Sequence, residues 1–146
     1  MHLPIVNATD KGRDSMSEQE PQLDTVRTAM VLLYVKATPE GKLDLVESKR
    51  LLQEIASAAA PLFAYQILLD VREALSVTSV TDQFYMAEEL FEHREAFTEK
   101  MAVLCSNGQY DNKCFFALCA KNRGFKVIAF TSYENAFEWL IAKERN

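Results

Sequence analysis

The sequence predicts an α/β domain with a four- to five-stranded, mainly parallel sheet flanked by about four helices. Three observations predict it. Four aliphatic, β-prone runs alternate with four amphipathic stretches of helical period along residues 26–141. The links between them are short, so sequential right-handed crossovers are the economical way to join parallel strands. One run, Ile67-Leu68-Leu69, is continuously aliphatic, the pattern of a strand covered on both faces.

A chain of 146 residues supports one well-buried core and not two. Hydrophobic residues make up 49% of it, enough for apolar burial to outweigh chain entropy over most of the length. Residues 1–25 read as an N-terminal tail or loop, since residues 9–25 are too polar to fold alone. Residues 3–6 could add a short edge strand, kept at the periphery by Pro4, which has no amide to give a ladder. Residues 26–146 form the predicted domain.

The first strand is expected over residues 26–36, ending at the turn sequence Thr38-Pro39-Glu40-Gly41. Asp44 stands three residues before Glu47, a capping spacing, and predicts a helix over 45–59 that buries Leu45, Leu52, Ile55, Ala56 and Ala59 and stops before Pro61. A buried strand over 65–71 carries Asp70 at its end, and a polar loop with Ser76, Thr78 and Ser79 leads to a helix over 81–95. Its core face is expected to hold Phe84, Ala87, Leu90 and Phe91, with Glu88, Glu92 and Glu95 outward. A strand over 101–105 ends at Ser106-Asn107-Gly108, and a helix over 112–122 is expected to bury Phe115, Leu118 and Cys119 before Gly124 closes it. Residues 125–130 form the last strand, and the capping spacing of Thr131 and Glu134 opens a helix carrying Ala136, Phe137, Leu140 and Ile141.

Several function classes lose support at this stage. The formal charge of −5 opposes a nucleic acid backbone, and the basic residues do not cluster in sequence. The longest uninterrupted apolar stretch, residues 29–35, is far short of the roughly 20 residues a membrane span needs. Three cysteines, Cys105, Cys114 and Cys119, read as reduced core residues, which fits a cytoplasmic setting without disulfides, metal or cofactor. His93 has no positioned Ser or Cys with which to make a triad, and no catalytic residue is nominated.

Parallel sheets bind ligands beyond the carboxyl ends of their strands, where loops and helix N-termini converge. That rule nominates Asp70, Arg72, Ser76, Thr78, Ser79, Ser106, Asn107, Thr131 and Ser132 as ligand-binding or phosphorylation candidates. The same residues also serve as ordinary caps and turns. Asp70 and Arg72 sit at alternate positions of an extended strand, so they need not act together.

Three stretches carry a family resemblance. Ile67-Leu68-Leu69-Asp70-Val71-Arg72 resembles the hydrophobic, Asp, hydrophobic, Arg segment of small bacterial domains of the STAS/SEC14-like, or SpoIIAA-like, family. Residues 93–104 are similar to its Arg-bearing helix end followed by a strand, and residues 127–140, with Glu134, Ala136 and Trp139, to its closing element. The resemblance covers about residues 26–143 and implies a fold of four or five strands flanked by helices. It also implies a non-enzymatic regulatory or protein-interaction domain, with a protein partner or a homodimer. The family's phosphorylated Asp-Ser-Ser-Gly segment has no match in Leu75-Ser76-Val77-Thr78-Ser79-Val80-Thr81-Asp82. The alternative is a domain that binds a lipid, nucleotide or other anion at the carboxyl edge, although a large lipid cavity is hard to enclose in a chain this short.

Overall fold

Val35, Ile67, Met101 and Val127 stand in one register row across four parallel strands, and Ala37, Leu69, Val103 and Ala129 form a second. The computed structural model describes residues 5–7, 33–59 and 66–142. The main sheet contains β1 (Ile5–Asn7), β2 (Leu33–Ala37), β4 (Gln66–Asp70), β6 (Met101–Leu104) and β7 (Val127–Phe130), in the order β1-β2-β4-β6-β7. Strand β1 is antiparallel to β2 and forms one edge, and β7 forms the other. Two further strands, β3 (Gly41–Leu43) and β5 (Ala74–Ser76), pair in parallel as a separate ribbon. Among the described residues four helices follow the strands: α1 (Leu45–Ala59), α2 (Val80–Glu92), α3 (Tyr110–Asn122) and α4 (Tyr133–Ile141).

The pleat sorts the sheet residues between two cores. Val35, Ala37, Ile67, Leu69, Met101, Val103, Val127 and Ala129 face one way and pack with Leu52 and Ile55 of α1, Met86 and Leu90 of α2, and Phe116 and Ala120 of α3. Tyr34, Leu68, Ala102 and Leu104 face the other way and meet Ala136 and Leu140 of α4. Described helices thus pack on both faces of the sheet, so both are apolar, which explains the unbroken aliphatic run of β4.

The first helix has the expected limits, and Glu47 donates its amide to Asp44 Oδ1 at 2.8 Å, as the capping spacing requires. Gly124 ends α3 at φ +92°, a conformation other side chains rarely take. Elsewhere the structure corrects the expectation. The second helix runs over Val80–Glu92 and gives way to a 3₁₀ turn at Arg94–Ala96, because the amide of His93 turns back to the carbonyl of Leu90. The third begins at Tyr110, after a 3₁₀ turn at Asn107–Gln109. The α4 cap is Ser132, whose Oγ accepts from the amide of Asn135, and not Thr131.

Two helix faces agree with the predicted phase only in part: Ala87, Leu90 and Cys119 are buried and Glu88, Glu92 and Glu95 exposed as expected, but the large apolar residues are displaced. On α2 the buried residues are Gln83, Met86, Ala87 and Leu90, while Phe84 and Phe91 are exposed. On α3 they are Lys113, Phe116, Ala117, Cys119 and Ala120, while Leu118 is exposed and Phe115 half-buried. Ile141 is exposed at the end of α4. The first strand begins within the described residues at Leu33, so its predicted start at residue 26 lies outside them, as does the stop before Pro61. The short edge strand expected over residues 3–6 is observed at Ile5–Asn7.

Candidate functional site

The parallel strands β2, β4, β6 and β7 follow one another in chain order. A sheet of that kind has no order reversal among its parallel strands and therefore no topological crevice. The ribbon of β3 and β5 further fills the region after β2 and β4, with Leu43 and Ala74 buried in the core. A site at this edge must be built by side chains.

One cluster centres on Asp70 at the end of β4. Arg72 does not continue the strand but sits in the turn after it, so its side chain folds back instead of pointing to the opposite face. Its Nε donates to Asp70 Oδ1 at 3.0 Å, its Nη2 to Oδ2 at 2.9 Å, and its amide to Oδ1 at 3.1 Å. The expectation that the two need not act together is thus corrected. Burial pushes the Asp70 carboxyl up, but the Arg72 hydrogen bonds, with Arg72 and Lys36 charges behind them, outweigh it and hold the group below its ordinary value. The guanidinium of Arg72 is raised in turn, chiefly by the bond to Asp70, with Glu73 and Glu134 contributing.

A second cluster hangs the segment before α2 on the start of α3. Gln109 Nε2 donates to the carbonyls of Val71 and Ala74 at 3.0 and 3.2 Å, while its Oε1 accepts from the amide of Ser106 at 2.8 Å. Asn112 Nδ2 donates to the Thr78 carbonyl, and the Thr78 hydroxyl donates to Asn112 Oδ1. Lys113 Nζ donates to Ser76 Oγ at 3.2 Å. Because the Thr78 proton goes to Asn112, Ser76 must be the donor in its 3.2 Å contact with Thr78 Oγ1. Gln83 Nε2 reaches Thr78 Oγ1 at 2.7 Å and the Ser79 carbonyl at 3.1 Å, while its buried Oε1 has no partner among the described residues.

Lys113 is buried, and among the described residues no carboxylate pairs with it. Burial lowers its ammonium from the usual lysine range, against a smaller opposing effect of Cys105. Burial and the neighbouring Cys114 push the Cys105 thiol up to about 11, so it stays protonated at neutral pH and is a poor nucleophile. Cys119 is likewise buried and Cys114 half-buried, and none of the three is in a disulfide.

The remaining candidates are placed as follows. Ser79 caps α2: its Oγ accepts from the amide of Asp82, and Asp82 Oδ2 accepts from the amide of Ser79. Ser132 Oγ accepts from the amide of Asn135 and donates to Glu134. Ser106 and Asn107 are exposed at the 3₁₀ turn before α3, and Thr131 is exposed after β7. The structure therefore brings Ser76, Thr78 and Ser79 together with Gln83, Asn112 and Lys113, three residues the sequence reading passed over. A signal for two of them existed. Lys113 is in helical phase with Phe116, Ala117 and Ala120, and Gln83 with Ala87 and Leu90, so both lay on core-facing stripes.

A cleft of about 340 Å³ lies elsewhere, between α1 and the end of α2, lined by Ala56, Ser57, Glu92, His93, Glu95 and Ala96. His93 Nε2 is 3.1 Å from Glu89 Oε2, which also accepts from Gln53. Among the described residues no group of three or more His, Cys, Asp or Glu is placed to hold a metal ion, and no helix is long and apolar enough to cross a membrane.

No protein-family model matches the sequence, and no curated protein matches it. Among solved structures the chain is similar to an uncharacterised protein of the DUF3478 family from Shewanella loihica PV-4, described as having a SpoIIAA-like fold. The two share 15% sequence identity over 94% of this chain and 93% of that one, with a TM-score of 0.52. A likeness of this degree is one of fold.

Proposed function

We propose that this chain, a SpoIIAA-like α/β fold, is a non-enzymatic regulatory or protein-interaction domain that works through the outer face of α2 and the segment leading into it. One observation carries the reading: Leu75, Val77, Val80, Phe84, Tyr85 and Phe91 are all exposed along residues 75–91, where a lone folded domain usually keeps large apolar side chains apart or covered. The polar tether from α3 supports it, since it holds the approach to α2 in one conformation and lowers the ordering cost of docking. The three unpaired thiols support a reducing, cytoplasmic setting.

The test is affinity capture with cross-linking from a lysate of the source organism, comparing the wild-type chain with a Val80→Asp/Phe84→Asp variant. A partner held by the first and lost by the second, with circular dichroism unchanged, supports the reading. A partner held equally by both removes α2 as the working face.

A second reading, binding of a lipid, nucleotide or other anion at the carboxyl edge, draws on the buried Lys113 beside the Ser76 and Thr78 hydroxyls. A thermal-shift panel tests it, because a ligand at one hundred times its Kd stabilises a protein by about 2.7 kcal/mol.

A further inference from the structure

The charge of this protein is concentrated on one segment. Residues 80–99 contain six carboxylates, Asp82, Glu88, Glu89, Glu92, Glu95 and Glu99, against one arginine, Arg94. That excess of five equals the formal charge of −5 for the whole chain, so the other residues balance and the negative field belongs to α2 and the turn after it.

The same surface is aromatic. Val80, Phe84 and Glu88 follow at intervals of one helical turn, and Phe91, Glu92 and Glu95 continue the exposed side. Two of the protein's own guanidinium groups show what this chemistry holds. Arg123 lies 4.5 Å from the ring centre of Phe84 and 3.6 Å from the Glu88 carboxylate, and Arg94 lies 4.6 Å from the ring centre of Phe91. Each ring thus already receives a cation on its face, and at Phe84 a carboxylate stands beside it.

We infer that the outer face of α2 docks a basic amphipathic segment of a partner protein, its apolar side chains against Val80 and Phe84 and its arginines or lysines against Glu88, Glu92 and Glu95. This deepens the proposed interaction role and rests on it. Acidic partners are repelled by the same field and neutral ones gain nothing from it, so the acidic residues supply selectivity and the aromatic ones most of the contact area.

The experiment uses the full chain and two labelled synthetic peptides of about 18 residues, one with an apolar face and an arginine face, the other with glutamate in place of each arginine. Fluorescence anisotropy is expected to show binding of the basic peptide alone, weakening as salt is raised. A Glu88→Lys/Glu92→Lys/Glu95→Lys variant is expected to raise its Kd by at least about tenfold, and Phe84→Ala by about threefold or more. A Glu40→Lys/Asp111→Lys/Glu138→Lys variant, with the same change in net charge on other surfaces, is expected to keep most of the affinity. Equal binding of both peptides overturns the inference, as does equal loss in both triple variants, which would be attraction by net charge alone. Sedimentation showing a homodimer that Val80→Asp/Phe84→Asp dissociates also overturns it, since a second copy would then be the occupant. If capture returns a partner that needs Val80 and Phe84 while the peptides are not told apart by charge, the interaction role stands and the basic partner falls.

Discussion

Lys113 Nζ, buried in the first turn of α3, donates to Ser76 Oγ at 3.2 Å and so ties that helix to the end of strand β5. A long aliphatic side chain crosses the core to hold one hydroxyl, with no carboxylate to offset its charge among the described residues.

Removing the acceptor and removing the donor should differ. Ser76→Ala leaves the Lys113 amine without its partner and is expected to cost about 1–3 kcal/mol. Lys113→Met keeps the packing and removes the buried cation, and is expected to be neutral or stabilising by about 1 kcal/mol. Urea unfolding of both variants checks the contrast, and a larger loss for Lys113→Met would show that the ammonium is net favourable.

Two groups set opposite slopes in alkali. The folded state keeps the Cys105 thiol protonated up to about 11, so the stability it contributes is present below pH 9 and is lost as the pH rises from there through its folded value. Lys113 is lowered in the fold, so its burial costs stability at low pH and the cost fades as the pH climbs toward the unfolded lysine range. Cys105→Ala is expected to flatten the alkaline loss and Lys113→Met to steepen it, read by denaturation from pH 7 to pH 11.

In acid the Asp70 carboxylate decides. Its folded value lies below the ordinary one, so its contribution is present above about pH 4 and is lost as the pH falls through the folded value. Asp70→Asn should lower stability at pH 7 and make the acid limb shallower in the same type of titration.

Lys100 closes the far end of α4: its Nζ donates to the carbonyls of Trp139 and Ala142 at 2.6 and 2.7 Å and lies 5.2 Å from the Trp139 ring centre. Lys100→Ala is expected to cost about 2 kcal/mol through the lost helix cap and its two acceptors. Trp139 is the single tryptophan, so its emission should shift in the folded variant and report the change directly.

The helix phases are checked by Phe116→Ala, expected to cost about 3–5 kcal/mol, against Leu118→Asp, expected within about 0.5 kcal/mol of wild type.

What the sequence made legible was whatever depends on neighbours along the chain. The limits of α1 and its cap at Asp44, the buried run of β4 and the turn at Gly124 follow from local rules of spacing and backbone conformation. The faces of α2 and α3 were legible only in part: Ala87, Leu90 and Cys119 are buried as expected, but Phe84 and Phe91 drew the α2 stripe away from Gln83 and Met86. Largest-residue reasoning chose the aromatics, whereas the tertiary packing accepted a polar Gln83 and Lys113 once hydrogen-bond partners were near. The paired β3 and β5 were hidden for a related reason: strands of three residues have too few positions to show a period. The edge candidates rest on a rule about the carboxyl ends of parallel strands, and which side chains meet there is a property of the assembled sheet.

That order has a kinetic meaning. Ile67 pairs with Val35, Met101 with Ile67 and Val127 with Met101, so each parallel strand adds to the one made just before it. As the chain leaves the ribosome the sheet can grow one unit at a time, each new strand finding a template already in place. Among the described residues the helix against the second face is α4, the last of them along the chain, and Lys100 fastens it. Synthesis stalled before that helix would leave Leu68, Ala102 and Leu104 without Ala136 and Leu140, and a nascent chain held there lacks the α4 side of its second core.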